Sequence, residues 1–271
     1  MTDLSCDKIN DIDFCLQALQ WHIDCGADFL FEDESVDRTI VSNVVVVDPV
    51  VVHSDINKND KVIKQPDISS KTYGASIAIE ELKVILSDVN DIDALKAAIF
   101  DFDGVALKKT AKNMIFACGN QDSKIMFIGD VPSSEDDKNG DAFTGNIGVL
   151  EDKIHNSIGL TRDDVYLTNI CNWRPPGNRS LSESELEILK LIIVKHIELI
   201  NPEIIIFLGV VPAKLLLNAK GGMSKLRGQS FNYGDGMKAM VMHHPDSLLK
   251  NPMHKRDRWH DMLKLKEMID C

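Results

Sequence analysis

The residues best equipped for chemistry lie in one string, Val165-Tyr-Leu-Thr-Asn169-Ile-Cys-Asn-Trp173-Arg174-Pro175-Pro176-Gly177-Asn178-Arg179. An apolar run with β-branched residues ends on a polar amide at Asn169. The chain then enters a segment in which Pro175 and Pro176 fix φ and remove two backbone donors. Gly177 permits close approach of the backbone, and Arg174 and Arg179 bracket it with charge suited to phosphate. A strand that delivers an amide to its C-terminal end, followed by a stiff cationic loop, can present a small ring and a phosphate together. Each residue alone is ordinary turn material. The whole string is a more specific signal.

Two further apolar runs end on residues that can act on a substrate. One closes at Gly129-Asp130, and the other leads into His243-His244-Pro245, where proline fixes the backbone after the histidine. A lone histidine is more often structural than catalytic, but His244 gains weight from sharing a sheet end with Asp130 and Asn169. Two competing motifs are weaker. Glu135, Asp137, Asn139 and Gly140 have the spacing of a calcium loop, yet Asn146 stands where a bidentate glutamate is required. Asp101-Phe-Asp103-Gly-Val mimics the nucleophile motif of haloacid-dehalogenase-type phosphatases, with Asp130 and Asp136 imitating their acidic metal motif. The two halves lie scarcely one βαβ unit apart, which makes this a low-ranking alternative.

Positioning these groups requires strands that end together. Apolar runs at 124–129, 164–170, 203–209 and 239–243 are near-continuous, as strands buried on both faces require. They alternate with helical patterns at 147–158, 182–200, 211–218 and 255–270, and Ser182-x-x-Glu185 opens the second of these as a capping box. The pattern predicts an α/β fold, a three-layer α/β/α sandwich with a four-stranded, mainly parallel central sheet. Ligands bind such sheets at the carboxyl ends of the strands, where Asp130, Asn169, Gly209 and His244 all fall. Ahead of this domain (77–271, opening with two short helices over 77–100), residues 1–32 read as an N-terminal helix and 33–76 as a flexible acidic linker.

Charge is unevenly placed. Residues 1–95 hold 19 acidic against 7 basic residues, so the entire net charge of −12 lies there and the remainder is neutral. Within that remainder Lys225, Arg227, Lys250, His254, Lys255, Arg256 and Arg258 gather near the C-terminus, a patch able to bind phosphate despite the acidic total. The acidic third is ill-suited to DNA and is expected to solubilise or to meet a protein partner. The six cysteines are scattered without a C-x-x-C, which predicts reduced thiols rather than disulfides or a zinc site. With neither a long apolar run nor a basic leader, the chain is expected to be a cytoplasmic, monomeric protein that does not enter membranes.

In this order the motifs resemble those of the family 4 uracil-DNA glycosylases. Gly129-Asp-Val-Pro-Ser133 is similar to the family's Gly-Glu-Ala-Pro-Gly. Asp136-Asp137-Lys-Asn-Gly140-Asp-Ala-Phe143-Thr-Gly145 resembles its Glu-Asp-x-x-Gly-x-Pro-Phe-x-Gly. Its Val-Tyr-Ile-Thr-Asn and Arg-Pro-Pro-Gly-Asn-Arg stand almost verbatim at 165–179, its Leu-Arg-Gly at Leu226-Arg227-Gly228, and its His-Pro-x-x-Leu-Leu at 244–249. The likeness covers roughly residues 95–265. It implies a DNA repair glycosylase that hydrolyses the N-glycosidic bond of uracil flipped out of DNA. Gly129, Phe143 and Asn169 would bind the base, Phe143 by stacking and Asn169 by reading the edge that separates uracil from cytosine. His244 would donate to the oxygen that gathers charge, and Asp130 would position water or stabilise the sugar cation. Arg174, Arg179, Arg227, Lys250, Lys255 and Arg256 would hold phosphates, with the 248–258 segment wedging the duplex.

The departures carry as much meaning. The family holds a 4Fe–4S cluster on four cysteines, and the matching positions are Phe102, Val105, Trp173 and Leu189. Thiolates are needed for such a cluster, so none is expected, and no other cofactor or metal replaces it. Asp130 stands for the family's Glu, Ser133 for Gly and Ala142 for Pro. Two outcomes follow: a working glycosylase, or a weakened relative that binds DNA or a protein without cleaving.

Overall fold

The computed structural model describes residues 68–234 and 236–270. Two helices open the described chain, α1 (Ile68–Ser87) and α2 (Ile92–Asp101). They are separated by Asp91, whose carboxylate accepts the Ala94 N–H at 2.7 Å and caps α2. From residue 68 onward the segment expected as linker is therefore helical. The apolar positions Ala78, Leu82 and Leu86 give α1 a face that is buried against the domain. The expected N-terminal helix over 1–32 and the rest of the linker lie outside the described residues.

A sheet of six strands follows: β1 (Ala117–Gly119), β2 (Ile125–Gly129), β3 (Tyr166–Asn169), β4 (Ile204–Leu208), β5 (Ser230–Tyr233) and β6 (Met237–Met242), in the order β1-β3-β2-β4-β6-β5. The inner four are parallel, while β1 and β5 pair antiparallel at the two edges. The four-stranded expectation thus describes the core of the sheet and is corrected at its rims. Three-residue β1 and alternately exposed β5 carry no continuous apolar run, because edge strands are not buried on both faces.

Successive strand residues feed two cores, as the period of two dictates. Met126, Ile128, Ile205, Phe207 and Val241 point to one face, where α1, α2 and α5 (Glu183–Ile200) pack. Ile125, Phe127, Ile204, Ile206 and Met242 point to the other, against α4 (Gly145–Asn156) and α9 (His254–Asp270). Each such side chain contributes about 1.5–3 kcal/mol through burial. The short helices α3 (Ser134–Asn139), α6 (Val210–Leu217), α7 (Met223–Leu226) and α8 (Pro245–Lys250) complete the chain, α3, α6 and α8 directly after strand ends. The result is a three-layer α/β/α arrangement. From β2 the chain crosses to β3 on one side, and from β4 to β6 on the other. The carboxyl ends of adjacent β2 and β4 therefore mark a switch point, where open parallel sheets form a crevice.

No helix among the described residues is long and apolar enough to cross a membrane.

Candidate active site

That crevice is a cavity of about 620 Å³ whose lining includes Asp130, Ser133, Gly209, His244 and Lys250. Asp130 is the first residue beyond β2. The ladder to β3 continues past it, with Ile170 N–H donating to Gly129 O at 2.9 Å and Cys171 N–H to Asp130 O at 3.2 Å. This pins the Asp130 backbone, and its side chain enters the cavity. Burial without a neighbouring cation pushes its carboxyl up to about 6.

His244 follows β6 and is the N-cap of α8. Its Nδ1 accepts the Asp246 N–H at 3.2 Å, so the neutral ring carries its proton on Nε2. Burial lowers its pKa and favours that neutral state. The cap fixes the tautomer that makes His244 a donor.

Phe143 and Asn169 meet across Gly129. A Cβ on Gly129 would lie 2.2 Å from Asn169 Oδ1 and 3.0 Å from Phe143 Cζ, so only glycine fits. Both side chains are buried, and the Asn169 amide has no hydrogen-bond partner among the described residues. Phe143 has a left-handed backbone, φ 52°, a strained conformation for an aromatic residue. Two groups hold it there. Arg162 Nη2 donates to Phe143 O at 2.7 Å while its Nε donates to Asp152 at 2.6 Å, and Gly148 presses on the same carbonyl. Neither Arg162 nor Asp152 carries a sequence signal for this task.

Asp136, buried at the start of α3, ties the loop after β2 to the segment that carries Phe143. Its Oδ2 accepts Ser133 N–H at 2.8 Å and its Oδ1 accepts Thr144 N–H at 2.7 Å and the Thr144 hydroxyl at 2.9 Å. Ser133 and Asp136 form a capping box, a pattern that could have signalled the start of α3 but not the link to Thr144.

The nominated phosphate-binding cations are placed less uniformly. Arg179 makes a bidentate pair with Glu185, at 2.9 and 2.7 Å, and so stiffens its loop. Arg174 donates to Asn178 at 3.1 Å, Arg227 is held by Asp261 at 2.9 Å and Asp257 at 3.3 Å, and Lys250 pairs with Asp246 at 2.6 Å. Lys255 is half-buried and Arg256 is exposed on the first turn of α9. Arg258, grouped by sequence with this patch, is instead fully buried. In the 248–258 segment Leu248 is buried, whereas Leu249 and Met253 are exposed apolar side chains.

Phe102, Val105, Trp173 and Leu189 are all buried in the same apolar core, together with Cys171. Four hydrocarbon side chains offer iron no ligand, and the one nearby thiol is pushed up to about 12 by burial. A 4Fe–4S cluster does not fit this donor set. Among the described residues no group of His, Cys, Asp and Glu has the arrangement of a metal site. The phosphatase alternative also fails on placement. Asp101 is the exposed last residue of helix α2 and Asp103 pairs with Lys108 at 2.8 Å, whereas that chemistry needs its nucleophile at a strand end beside Asp130.

Residues 116–263 match the Uracil DNA glycosylase superfamily. Similar proteins include three named Type-4 uracil-DNA glycosylase. The one from Archaeoglobus fulgidus is 31% identical over 169 residues, 60% of this chain and 85% of that protein. The one from Thermotoga maritima is 32% identical over 160 residues, 58% and 83% of the two chains. The one from Saccharolobus solfataricus is 32% identical over 189 residues, 67% and 88%. With the strand-end geometry and these likenesses in agreement, the chain belongs to the uracil-DNA glycosylase superfamily, on its family-4-like side.

Proposed function

We propose that the protein hydrolyses the N-glycosidic bond of uracil flipped out of DNA, leaving an abasic site, and does so without an iron–sulfur cluster. The observation that carries this reading is the convergence of Asp130 and His244 on one cavity, with the Phe143 ring 6.3 Å from that of His244 and Asn169 meeting Phe143 across Gly129. Phe143 supplies a face for the base, and the unpartnered Asn169 amide offers one donor and one acceptor to its polar edge. As the C1′–N1 bond breaks, its electron pair passes to the uracil ring. His244 Nε2–H donates to the oxygen where that charge collects. Water adds to C1′ and yields its proton to the Asp130 carboxylate, which in its ionised form also stabilises the developing sugar cation.

DNA contact falls to the rim. Arg256, the side chain of Lys255 and the stiffened Arg174–Arg179 loop are the phosphate-binding candidates, and exposed Leu249 and Met253 replace buried Leu248 as wedge candidates. The acidic residues 1–95 are assigned to a protein partner or to solubility rather than to DNA. A second reading is a family member that binds without cleaving. It is favoured by the shorter Asp130 and by Ser133 and Ala142 in the altered motif. Release of uracil from a uracil-containing oligonucleotide, compared with Asn169→Ala and His244→Ala, separates the two. Cleavage by the wild type at the level of these variants would leave only the binding module.

A further inference from the structure

Beneath His244 lies a buried ionic cluster that the reaction chemistry does not use. Arg258, fully buried near the start of α9, donates from Nη1 to the His243 carbonyl at 2.8 Å and from Nη2 to Glu151. Glu151 is equally buried in α4, and His155, one turn later, places Nε2 3.3 Å from the same carboxylate oxygen. Burial opposes the charge on Glu151, but Arg258 and His155 outweigh it and hold the carboxyl down at about 2. Glu151 Oε2, Arg258 Nε and His155 Nδ1 have no hydrogen-bond partner among the described residues. Well-packed apolar residues commonly stabilise a fold as well as such a pair does, so stability alone does not account for it.

Its geometry does. Helix α4 starts two residues after Phe143, and Gly148 in its first turn packs so tightly on the Phe143 carbonyl that a Cβ there would lie 2.0 Å away. The His243 carbonyl immediately precedes His244. Arg258 therefore grips both walls of the cavity, the α4 wall through Glu151 and the β6 end through His243. We propose that Glu151 and Arg258 are positioning residues that fix the separation of Phe143 from His244 and the direction in which the His244 Nε2–H points. The catalytic consequence rests on the glycosylase reading; the positioning itself does not.

Removing one partner strands a buried charge and endangers the fold, so the test is the paired apolar replacement Glu151→Leu/Arg258→Met in the full chain. The expected result is a folded protein whose single-turnover uracil release falls about 10²-fold with KM changed less than about threefold. Added to His244→Ala, the same pair of replacements costs much less than in the wild type, because most of its effect acts through that ring. Imidazole nitrogen NMR provides a readout independent of turnover. His244 keeps its Nε2–H tautomer in both proteins, because the Asp246 N–H caps Nδ1, but shows one ring orientation in the wild type and exchange between orientations in the paired variant. A folded paired variant with unchanged His244 resonances overturns the proposal, as does an equal further loss in the His244→Ala background. A wild type that releases no uracil, with the orientation change still seen between wild type and paired variant, refutes the glycosylase reading and leaves the positioning role standing.

Discussion

The rings of Phe143 and His244 stand 6.3 Å apart, centroid to centroid, inclined by 34°. Neither is placed by its immediate neighbours in sequence alone. Phe143 is held at positive φ by Arg162 from a segment 19 residues downstream, and the carbonyl before His244 is held by Arg258 from the C-terminal helix. The site is thus built by contacts across layers of the fold.

Gly129 is one of the tight points of that construction. Gly129→Ala is expected to drive Asn169 and Phe143 apart and to lower uracil release by at least about 10²-fold. Overpacking at this strand end costs about 1–3 kcal/mol, a fall in Tm of several degrees. An alanine variant with wild-type turnover would show that the Gly129 contact does not shape the base site.

The raised pKa of Asp130 predicts an acid limb for the proposed reaction. Only the carboxylate can take a proton from water, so kcat/KM is expected to fall as pH drops through about 6, and Asp130→Asn should abolish that limb. Stability runs in the opposite direction. The folded state binds this proton more tightly than the unfolded chain, so the contribution is intact below the ordinary carboxylate pKa and lost as pH rises through about 6. Asp130→Asn is therefore expected to be more stable than wild type near neutrality, by on the order of 2–3 kcal/mol, with the advantage vanishing toward pH 4. Denaturant titrations at both pH values measure the difference.

Arg162 balances the strain at Phe143. Its charge-assisted bond to the Phe143 carbonyl contributes about 1.5–3 kcal/mol. Arg162→Gln is expected to lower kcat/KM by about tenfold or more while DNA affinity stays near wild type, since the guanidinium is occupied by Asp152 and Phe143. Equal losses in DNA binding and turnover would instead mark Arg162 as a phosphate contact.

Trp173 stands where related proteins are expected to place a cluster ligand, and here it fills the core. Protein purified without oxygen is expected to contain no iron and to show no visible charge-transfer absorbance. Trp173→Ala should cost about 3–5 kcal/mol through the cavity it opens. Stoichiometric iron in the purified chain would contradict the apolar assignment of this region.

Much of the architecture was legible in the sequence because parallel central strands are buried on both faces and announce themselves as apolar runs. Their ends located Asp130, Asn169, Gly209 and His244 together, and Ser182-x-x-Glu185 marked the start of α5. The edge strands were not legible, since β1 and β5 expose one side and are only three and four residues long. Arg258 was misplaced for a different reason. A basic residue among basic residues reads as a solvated face, and only the fold brings up Glu151, 107 residues away, to neutralise it. The left-handed Phe143 was equally hidden, because nothing about an aromatic residue in a loop foretells positive φ.

The central claim is that this chain releases uracil from DNA through Asn169 and His244. The most direct measurement is the formation of abasic sites in a uracil-containing oligonucleotide by wild type, Asn169→Ala and His244→Ala proteins matched for folding. The expected result is robust cleavage by the wild type and losses of about 10²-fold or more in each variant. Wild-type activity no higher than that of the two variants would contradict the account.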